Sequence, residues 1–445
     1  MIHLPLIPAR EHPGRVGFFL VVSLLLGLSI VHIPAVAALL FPTVAGLLAL
    51  PVLTRYLCAS DGGELDTHRI LTWTIGSFLA HLLFSLAVTG IGGTVSDVLR
   101  GPDSITYNAH AITMVRHWAD GFPFPNLPAG KEGFYYLLAA LYWLLGAHVV
   151  AGLAVNAALI AAAVPLVADT TRRLFGSQAA KYACPLVVVL PGMFLWTAQL
   201  GKEAAALMLI AVAANCGVRL VERSSPGALL GLTTSIALLF TLRGWVALTL
   251  AGGFLAGITL SRPKLVGGLS TGATAVGALG LLVVTTGVGY SGYREATKSD
   301  LKEANAVRQE LALTGRTGFD QEVDISTGGE ALAYLPIGLA RLTLGPFPWQ
   351  LRGVRQLPGV LEVVVWWALL PSLWVGIRGG WQVAGRRLIV LVAPALITAI
   401  LFSLSIGNYG TQLRERLQVV MLLVPFIALG LAVRKERSST ASVSV

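Results

Sequence analysis

Charge is what this chain lacks most. Asp, Glu, Lys and Arg together make up 12% of its 445 residues, about half the ~25% usual in soluble domains. A water-facing globular domain is excluded. Cysteine is also rare: Cys58, Cys184 and Cys216 form neither a disulfide framework nor a zinc-binding spacing. The alternating ~10-residue pattern of an outer-membrane barrel is missing, and so is any tandem repeat. What remains is 55% hydrophobic with a mean hydropathy of +0.75, in long Leu/Val/Ala/Gly-rich runs. Composition therefore specifies an all-α, polytopic transmembrane bundle.

Runs of about 20 residues suffice to cross a bilayer. Candidate spans are 16–31, 34–54, 70–91, 148–170, 183–200, 203–221, 227–242, 244–260, 265–288, 359–377, 388–405 and 418–433, about 12 in all (11–13). Arg10 and Arg15 precede the first run, and Pro34-Ala35-Val36-Ala37 resembles a signal-peptidase site. Apolar sequence resumes at once from Ala38 to Leu53, so an uncleaved hairpin over 1–54 is expected. Core spans (55–288), an outer loop (289–358), C-terminal spans (359–433) and a cytoplasmic tail (434–445) follow, with Ser438 to Val445 expected to be disordered.

With the N-terminus inside, the basic turns Arg55/Arg69, Arg172-Arg173, Arg219/Arg223, Arg262/Lys264, Arg386-Arg387 and Arg434-Lys435 fall in the cytoplasm. The net charge of +10 then lies wholly on that face, where anionic lipid accounts for it; it is no nucleic-acid signal. This assignment requires that 133–145 not cross. Its 13 residues reach only ~20 Å as a helix, short of a ~30 Å core. Expected instead is a helix at the outer interface with Tyr135, Tyr136, Tyr142 and Trp143 at headgroup level. Both termini are then cytoplasmic, and two long loops, 92–132 and 289–358, lie outside. The second has helical composition with many charges from Tyr293 to Leu313, read as a solvated helix, then an interfacial segment near Leu335–Leu342.

The outer side carries ionisable residues that a bilayer protein has little reason to keep there. Loop 92–132 holds Asp97, Asp103, Tyr107, His110, His117 and Asp120. Tight outer turns hold Lys202-Glu203, Arg243, and Arg414 with Arg416. Each cation alone is as readily a snorkelling interfacial residue. Four together, facing a loop with two aspartates, suit a phosphate, whose oxygens match guanidinium and ammonium donors, with a carboxylate able to take a proton from a hydroxyl. His81, deep in a span, is read as a helix-packing hydrogen bonder.

These residues resemble the GT-C superfamily of polytopic glycosyltransferases. The resemblance rests on Gly101-Pro102-Asp103-Ser104-Ile105-Thr106-Tyr107 after span 70–91, and on Lys131-Glu132-Gly133-Phe134-Tyr135-Tyr136 at the return. It continues through Asp169-Thr170-Thr171-Arg172-Arg173-Leu174-Phe175-Gly176 and Pro191-Gly192-Met193-Phe194-Leu195-Trp196 to Lys202-Glu203. It covers roughly 70–225 and is one of pattern. The hairpin 16–54 departs from it as an N-terminal addition. By this resemblance Asp103 is the expected catalytic base, with Asp97 its competitor. Lys202, Arg243, Arg414 and Arg416 would hold a leaving phosphate, Glu203 would orient Lys202 or the acceptor, and Tyr107, Lys131 and Glu132 would complete the substrate site. The reading for Asp103 that involves no chemistry is a helix cap. No adjacent acidic pair marks a metal site, although oxygens of Asp97, Asp103 and Glu203 could converge on Mg²⁺ or Mn²⁺.

The implied function is transfer of a sugar from a polyprenyl-phosphate-linked donor to a lipid-linked or envelope glycan acceptor, at the outer face of the plasma membrane. A polysaccharide polymerase or ligase acting on undecaprenyl-pyrophosphate glycans would lean on Arg414 and Arg416 more than on Asp103. A transporter or flippase would place ionisable residues near the midplane.

Overall fold

The computed structural model describes residues 34–59, 66–91, 93–121, 131–262, 301–314, 317–350 and 357–443. The expected spans 16–31 and 265–288 lie outside them. The described residues are largely helical, with no strand among them beyond one isolated bridge between Gly318 and Asn408. The N-terminal part comprises α1 (Pro34–Ala59), α2 (Thr67–Ile91), α3 (Gly93–Ala119), α4 (Glu132–Leu145), α5 (Val149–Phe175), α6 (Ser177–Val189) and α7 (Pro191–Thr197). Then come α8 (Glu203–Glu222), α9 (Pro226–Leu242), α10 (Gly244–Ser261), α11 (Leu301–Thr314), α12 (Gly328–Leu344), α13 (Leu357–Ala384), α14 (Ile389–Ser405) and α15 (Tyr409–Val443).

By length and apolar composition, seven segments can cross a membrane, or eight if the bent pair α6–α7 is one span. One of the seven, Gly359–Ser405, contains both α13 and α14. The expected span 227–242 is α9, an apolar helix of 17 residues. The expected run 183–200 is not one straight helix. It begins at Ser177 and bends by 50° between α6 and α7, because Pro191 removes a backbone donor and disfavours helical geometry at Leu190. Leu190 accordingly takes φ −60°, ψ 119°. The single residue Gly176, at φ +85°, connects α5 to α6 in the left-handed region that glycine tolerates.

The centre of the bundle is α15, α8 and α5, whose apolar windows are 83%, 72% and 67% buried, against 22% for the peripheral α1. Small residues allow close helix crossings, as expected where dispersion rather than water drives packing. Gly253 and Gly257, four apart on α10, lie directly against Pro394 and Val390 of α14. Likewise Gly376 of α13 and Gly430 of α15 lie on the Phe426 and Ser372 carbonyls of each other's helix.

Two pieces overlie one end of this bundle. The first is the pair α3–α4. α3 begins at Gly93, ten residues before Asp103, so Asp103 is not an N-cap. α4 has 14 residues and packs against α3 and α9. Its tyrosines depart from the expected headgroup belt: Tyr135 and Tyr142 are buried, Tyr136 half-buried, and only Trp143 is exposed. The cause is the i, i+7 face of α4, which packs on α3, where the Tyr142 hydroxyl donates to Asn108 Oδ1 at 2.7 Å.

The second piece, α11 with α12, departs from the expectation of a solvated charged helix. Residues 293–300 of that expectation lie outside the described residues. Arg308 is fully buried, donating to the Val323 and Asp320 carbonyls at 2.9 Å each, with its guanidinium 4.8 Å from the Tyr334 ring centre. Asp320 also accepts from Tyr334 at 2.8 Å and Arg341 at 2.5 Å. A capping box between Thr327 and Glu330 starts α12. Backbone bonds Phe319 N to Gly407 O (2.9 Å) and Tyr409 N to Thr317 O (3.1 Å) fasten this module to the start of α15. At its other end α15 continues to Val443, so the tail from Ser438 is helical rather than disordered over those residues; no glycine or proline follows Arg434 to stop propagation.

Candidate functional site

Five segments meet at the end of the bundle beneath α3. The turn from α7 to α8 is held by side chains from the spans beside it. Asn156 Nδ2 donates to the carbonyls of Gln199 (2.7 Å) and Gly201 (2.9 Å), and Ser85 Oγ donates to that of Ala198 (2.6 Å). Satisfying buried carbonyls in this way locks the turn. A side chain at Gly201 would press on the Glu203 carboxylate, 2.6 Å from the Cβ position. Lys202 and Glu203 are thereby fixed inside the protein, 7% and 8% exposed. Lys202 Nζ donates to the carbonyl of Leu242 at 2.8 Å, one of the last carbonyls of α9 that no helical N–H reaches.

Arg243 occupies the single-residue connection between α9 and α10. One arm donates to Glu203 Oε1 at 2.8 Å, the other to Glu415 Oε1 on α15. Glu415 also accepts from Gln418 at 2.7 Å. Arg414, the neighbour of Glu415, has Nε 3.5 Å from the same Glu203 oxygen, ion-pairs through Nη1 with Asp103 of α3, and lies 5.9 Å from the Trp196 ring centre. The result is one chain of alternating charge: Glu415, Arg243, Glu203, Arg414, Asp103. With Lys202 it contains three cations and three carboxylates. Exposure rises along it, from 9–10% for the Glu415, Arg243 and Glu203 side chains to 22% for Arg414 and 42% for Asp103.

The electrostatics follow from this order. Burial pushes the Asp103 carboxyl up, but the Arg414 charge and hydrogen bond, with Lys131 and Lys202 farther off, outweigh it and hold the pKa below the usual carboxylate value. Burial, reinforced by the Arg243 charge, drives the Lys202 ammonium well below its ordinary 10.5. Tyr107 is buried against Phe134 and Tyr135, ring centres 4.9 and 5.2 Å away. Burial and the nearby Glu203 charge raise its hydroxyl strongly, so it can only be a neutral donor or acceptor. A cleft of about 170 Å³ lies against the Ser104–Asn108 face of α3, walled by Phe84, Val88, Leu153 and Leu200 with Gln199 among them; neither Asp103 nor Arg414 lines it.

Of the residues singled out in the sequence, the structure brings together Asp103, Tyr107, Lys202, Glu203, Arg243 and Arg414. Lys131 and Glu132 open α4 nearby, Lys131 close enough for its charge to act on Asp103 and Lys202. Arg416 is elsewhere. It is 2% exposed, pairs with Glu362 of α13 at 2.9 Å, and donates to the Gly345 carbonyl at 2.7 Å. The Asp97 side chain lies outside the described residues. Among the described residues no three acidic, His or Cys side chains gather as a metal set, and Asp103 and Glu203 both face Arg414. His110 stacks on Tyr135 at 4.9 Å. His81 is buried against Phe194, its Nδ1 2.8 Å from the Ser77 carbonyl, a packing role as expected.

Sequence reasoning missed Glu415, Asn156 and Trp196. Glu415 had a signal, an acid between two outer arginines; Asn156 is the lone amide of its apolar span.

A second ionic cluster lies at the far end of the same helices. Asp169, fully buried, accepts from Arg172 (2.7 Å), Arg173 (2.8 Å), Arg219 (2.9 Å) and Asn215 (2.9 Å), and Arg173 also pairs with Glu222 at 2.6 Å. Glu203 and Arg219 stand 16 residues apart on α8, roughly 24 Å at 1.5 Å per residue, so the two clusters sit about one membrane core apart.

No protein-family model matches the sequence, and no curated protein matches it. Among solved structures, the chain is similar to ArnT from Cupriavidus metallidurans, crystallised bound to undecaprenyl phosphate. The match has a TM-score of 0.48 and 15% identity, covering 79% of this chain and 60% of that one. The chain thus spans less than two thirds of the length of ArnT.

Proposed function

We propose that this chain is a plasma-membrane glycosyltransferase that moves a sugar from a polyprenyl-phosphate-linked donor to a lipid-linked or envelope glycan acceptor at the extracytoplasmic face. The observation that carries the reading is the ionic chain ending in the partly open Asp103–Arg414 pair. The basic residues Arg172, Arg173 and Arg219 of the far cluster support assigning that end to the cytoplasm, and with it an extracytoplasmic Asp103.

In the transfer, an acceptor hydroxyl oxygen bonds to the anomeric carbon of the donor as the bond from that carbon to the phosphate oxygen breaks. Asp103 takes the hydroxyl proton, and the departing polyprenyl phosphate keeps the electron pair, its charge met by Arg414. Arg243, held by the two carboxylates Glu203 and Glu415, fixes Glu203, which in turn orients Arg414. Lys202 and Lys131 supply positive potential behind them. A divalent cation at Asp103 and Glu203 would compete with Arg414 for the same oxygens.

The polymerase alternative asks both Arg414 and Arg416 to face the substrate, and the pairing of Arg416 with Glu362 speaks for the first reading. The transporter alternative calls for charges near the midplane, whereas the ionic clusters lie at the helix ends. The test is complementation of a knockout with Asp103→Asn at matched membrane abundance. Loss of a surface glycan with accumulation of its lipid-linked precursor is expected; a wild-type glycan would remove Asp103 as the base and the reading with it.

A further inference from the structure

Asp103 as found is badly disposed to be a base. The guanidinium of Arg414 holds its carboxyl below the ordinary range, and a carboxylate so paired binds a proton weakly. Arg414 is equally badly disposed to hold a phosphate, because its Nη1 is already committed to Asp103. The cluster as a whole, three cations against three carboxylates, has no surplus positive charge to offer an anion. One rearrangement removes all three obstacles.

We infer that the Asp103 carboxylate is the resting occupant of an anion seat on Arg414, and that a lipid-borne phosphate takes this seat and releases Asp103. The inference rests on the transferase reading for what the freed Asp103 then does, and adds to it an order of events: phosphate first, base second.

Several features of the molecule make this pair the one that opens. It is the outermost link of the ionic chain, 42% and 22% exposed, where every link behind it is 9–10% exposed. Exposed ion pairs are worth least and exchange most readily. Arg414 has other attachments that survive the exchange: Glu203 Oε1 at 3.5 Å, the Trp196 face at 5.9 Å, and its place in the central helix α15. Asp103 has the most exposed side chain of the ionic chain, 42%, so it can turn away from Arg414 while the buried face of α3 stays packed. Carboxylate and phosphate also present the same oxygen geometry to a guanidinium fork, so each is a direct replacement for the other.

The exchange makes a prediction that a simple base does not: removing the Asp103 charge should tighten binding of the anion. The full chain in lipid nanodiscs is titrated with farnesyl phosphate, with farnesol as the uncharged control, and binding is read by native mass spectrometry. Asp103→Asn is expected to bind farnesyl phosphate about 5-fold tighter or better, the lower end of typical coupling between two ligands. Arg414→Gln should lose that binding, and the double variant should match Arg414→Gln, since the gain requires the seat. Farnesol should show no change across the variants. Asp103→Ala serves as a second charge removal should Asp103→Asn fail to assemble.

Equal or weaker binding by a folded Asp103 variant would overturn the exchange, as would a gain that persists without Arg414. Inorganic phosphate binding as tightly as farnesyl phosphate would overturn the lipid-borne assignment. An Asp103→Asn protein that binds no tighter yet has lost glycan transfer sinks the exchange and leaves the transferase. One that binds tighter yet transfers normally leaves the exchange and removes Asp103 as the base.

Discussion

Replacing Arg243 by Met is the most demanding test of the ionic chain, because Met keeps much of the stem and deletes only the charge. In the native protein Arg243 is 9% exposed and bridges Glu203 and Glu415, themselves 9% and 10% exposed. Without it the cluster holds three carboxylates and two cations, and Glu415 loses its direct cationic partner. Stranding a buried charge in this way costs about 3–5 kcal/mol, a few hundred-fold or more in the folded-to-unfolded ratio. Lys202 moderates the loss. The Arg243 charge is, after burial, the largest influence disfavouring its ammonium, so the variant relieves that repulsion and lets the Lys202 charge face the same carboxylates unopposed. The expected cost therefore lies near ~3 kcal/mol. It should shrink again when Glu415→Gln is added, by a coupling of about 0.5–3 kcal/mol. Urea or thermal unfolding in a fixed detergent, followed by far-UV circular dichroism, reads both quantities. A single-variant loss below ~1 kcal/mol, the range of a solvated surface pair, would refute the chain as a buried, mutually dependent unit.

Two other substitutions probe different parts of the molecule. Lys202→Met should leave the fold intact and flatten its alkaline response. The unfolded lysine keeps its proton up to about 10.5 while the folded one releases it lower, so the unfolded state binds more protons in that window and native stability rises with pH across it. A pH series of melting temperatures in which the variant keeps the wild-type slope would show that Lys202 is not the group responsible. On α10, Gly253→Ala should cost about 1–3 kcal/mol by overpacking, since its Cβ would meet the backbone of Pro394, whereas Gly252→Ala, facing open space, should be neutral or gain up to ~1 kcal/mol. Equal melting temperatures for these neighbours would refute the close α10–α14 crossing.

The helical class and the positions of most apolar helices were legible in the sequence because each depends on local quantities: apolar run length and proline position. So was the list of cations in tight turns, since any charge between apolar runs stands out. Two readings failed where local pattern competed with contacts. Charged composition suggested a solvated helix around Arg308, yet carbonyls from a loop 12 and 15 residues downstream bury that guanidinium completely. Tyrosines of α4 looked interfacial until α3 was found packed on them.

Arg414 and Arg416 draw the line between the two kinds of information. The sequence by itself determined that both are cations in the turn that opens the last apolar run, and it offered no ground to separate them. Two residues on an α-helix are turned ~200° apart, so one faces Glu203 and Asp103 and the other faces Glu362 and Gly345. Which face meets which partner is a matter of how α15 packs among α3, α8 and α13, at sequence separations of 54 to 311 residues. Only the tertiary structure decided it, because an ion pair depends on distance in space, and no local property of the chain encodes the distance between residues so far apart along it.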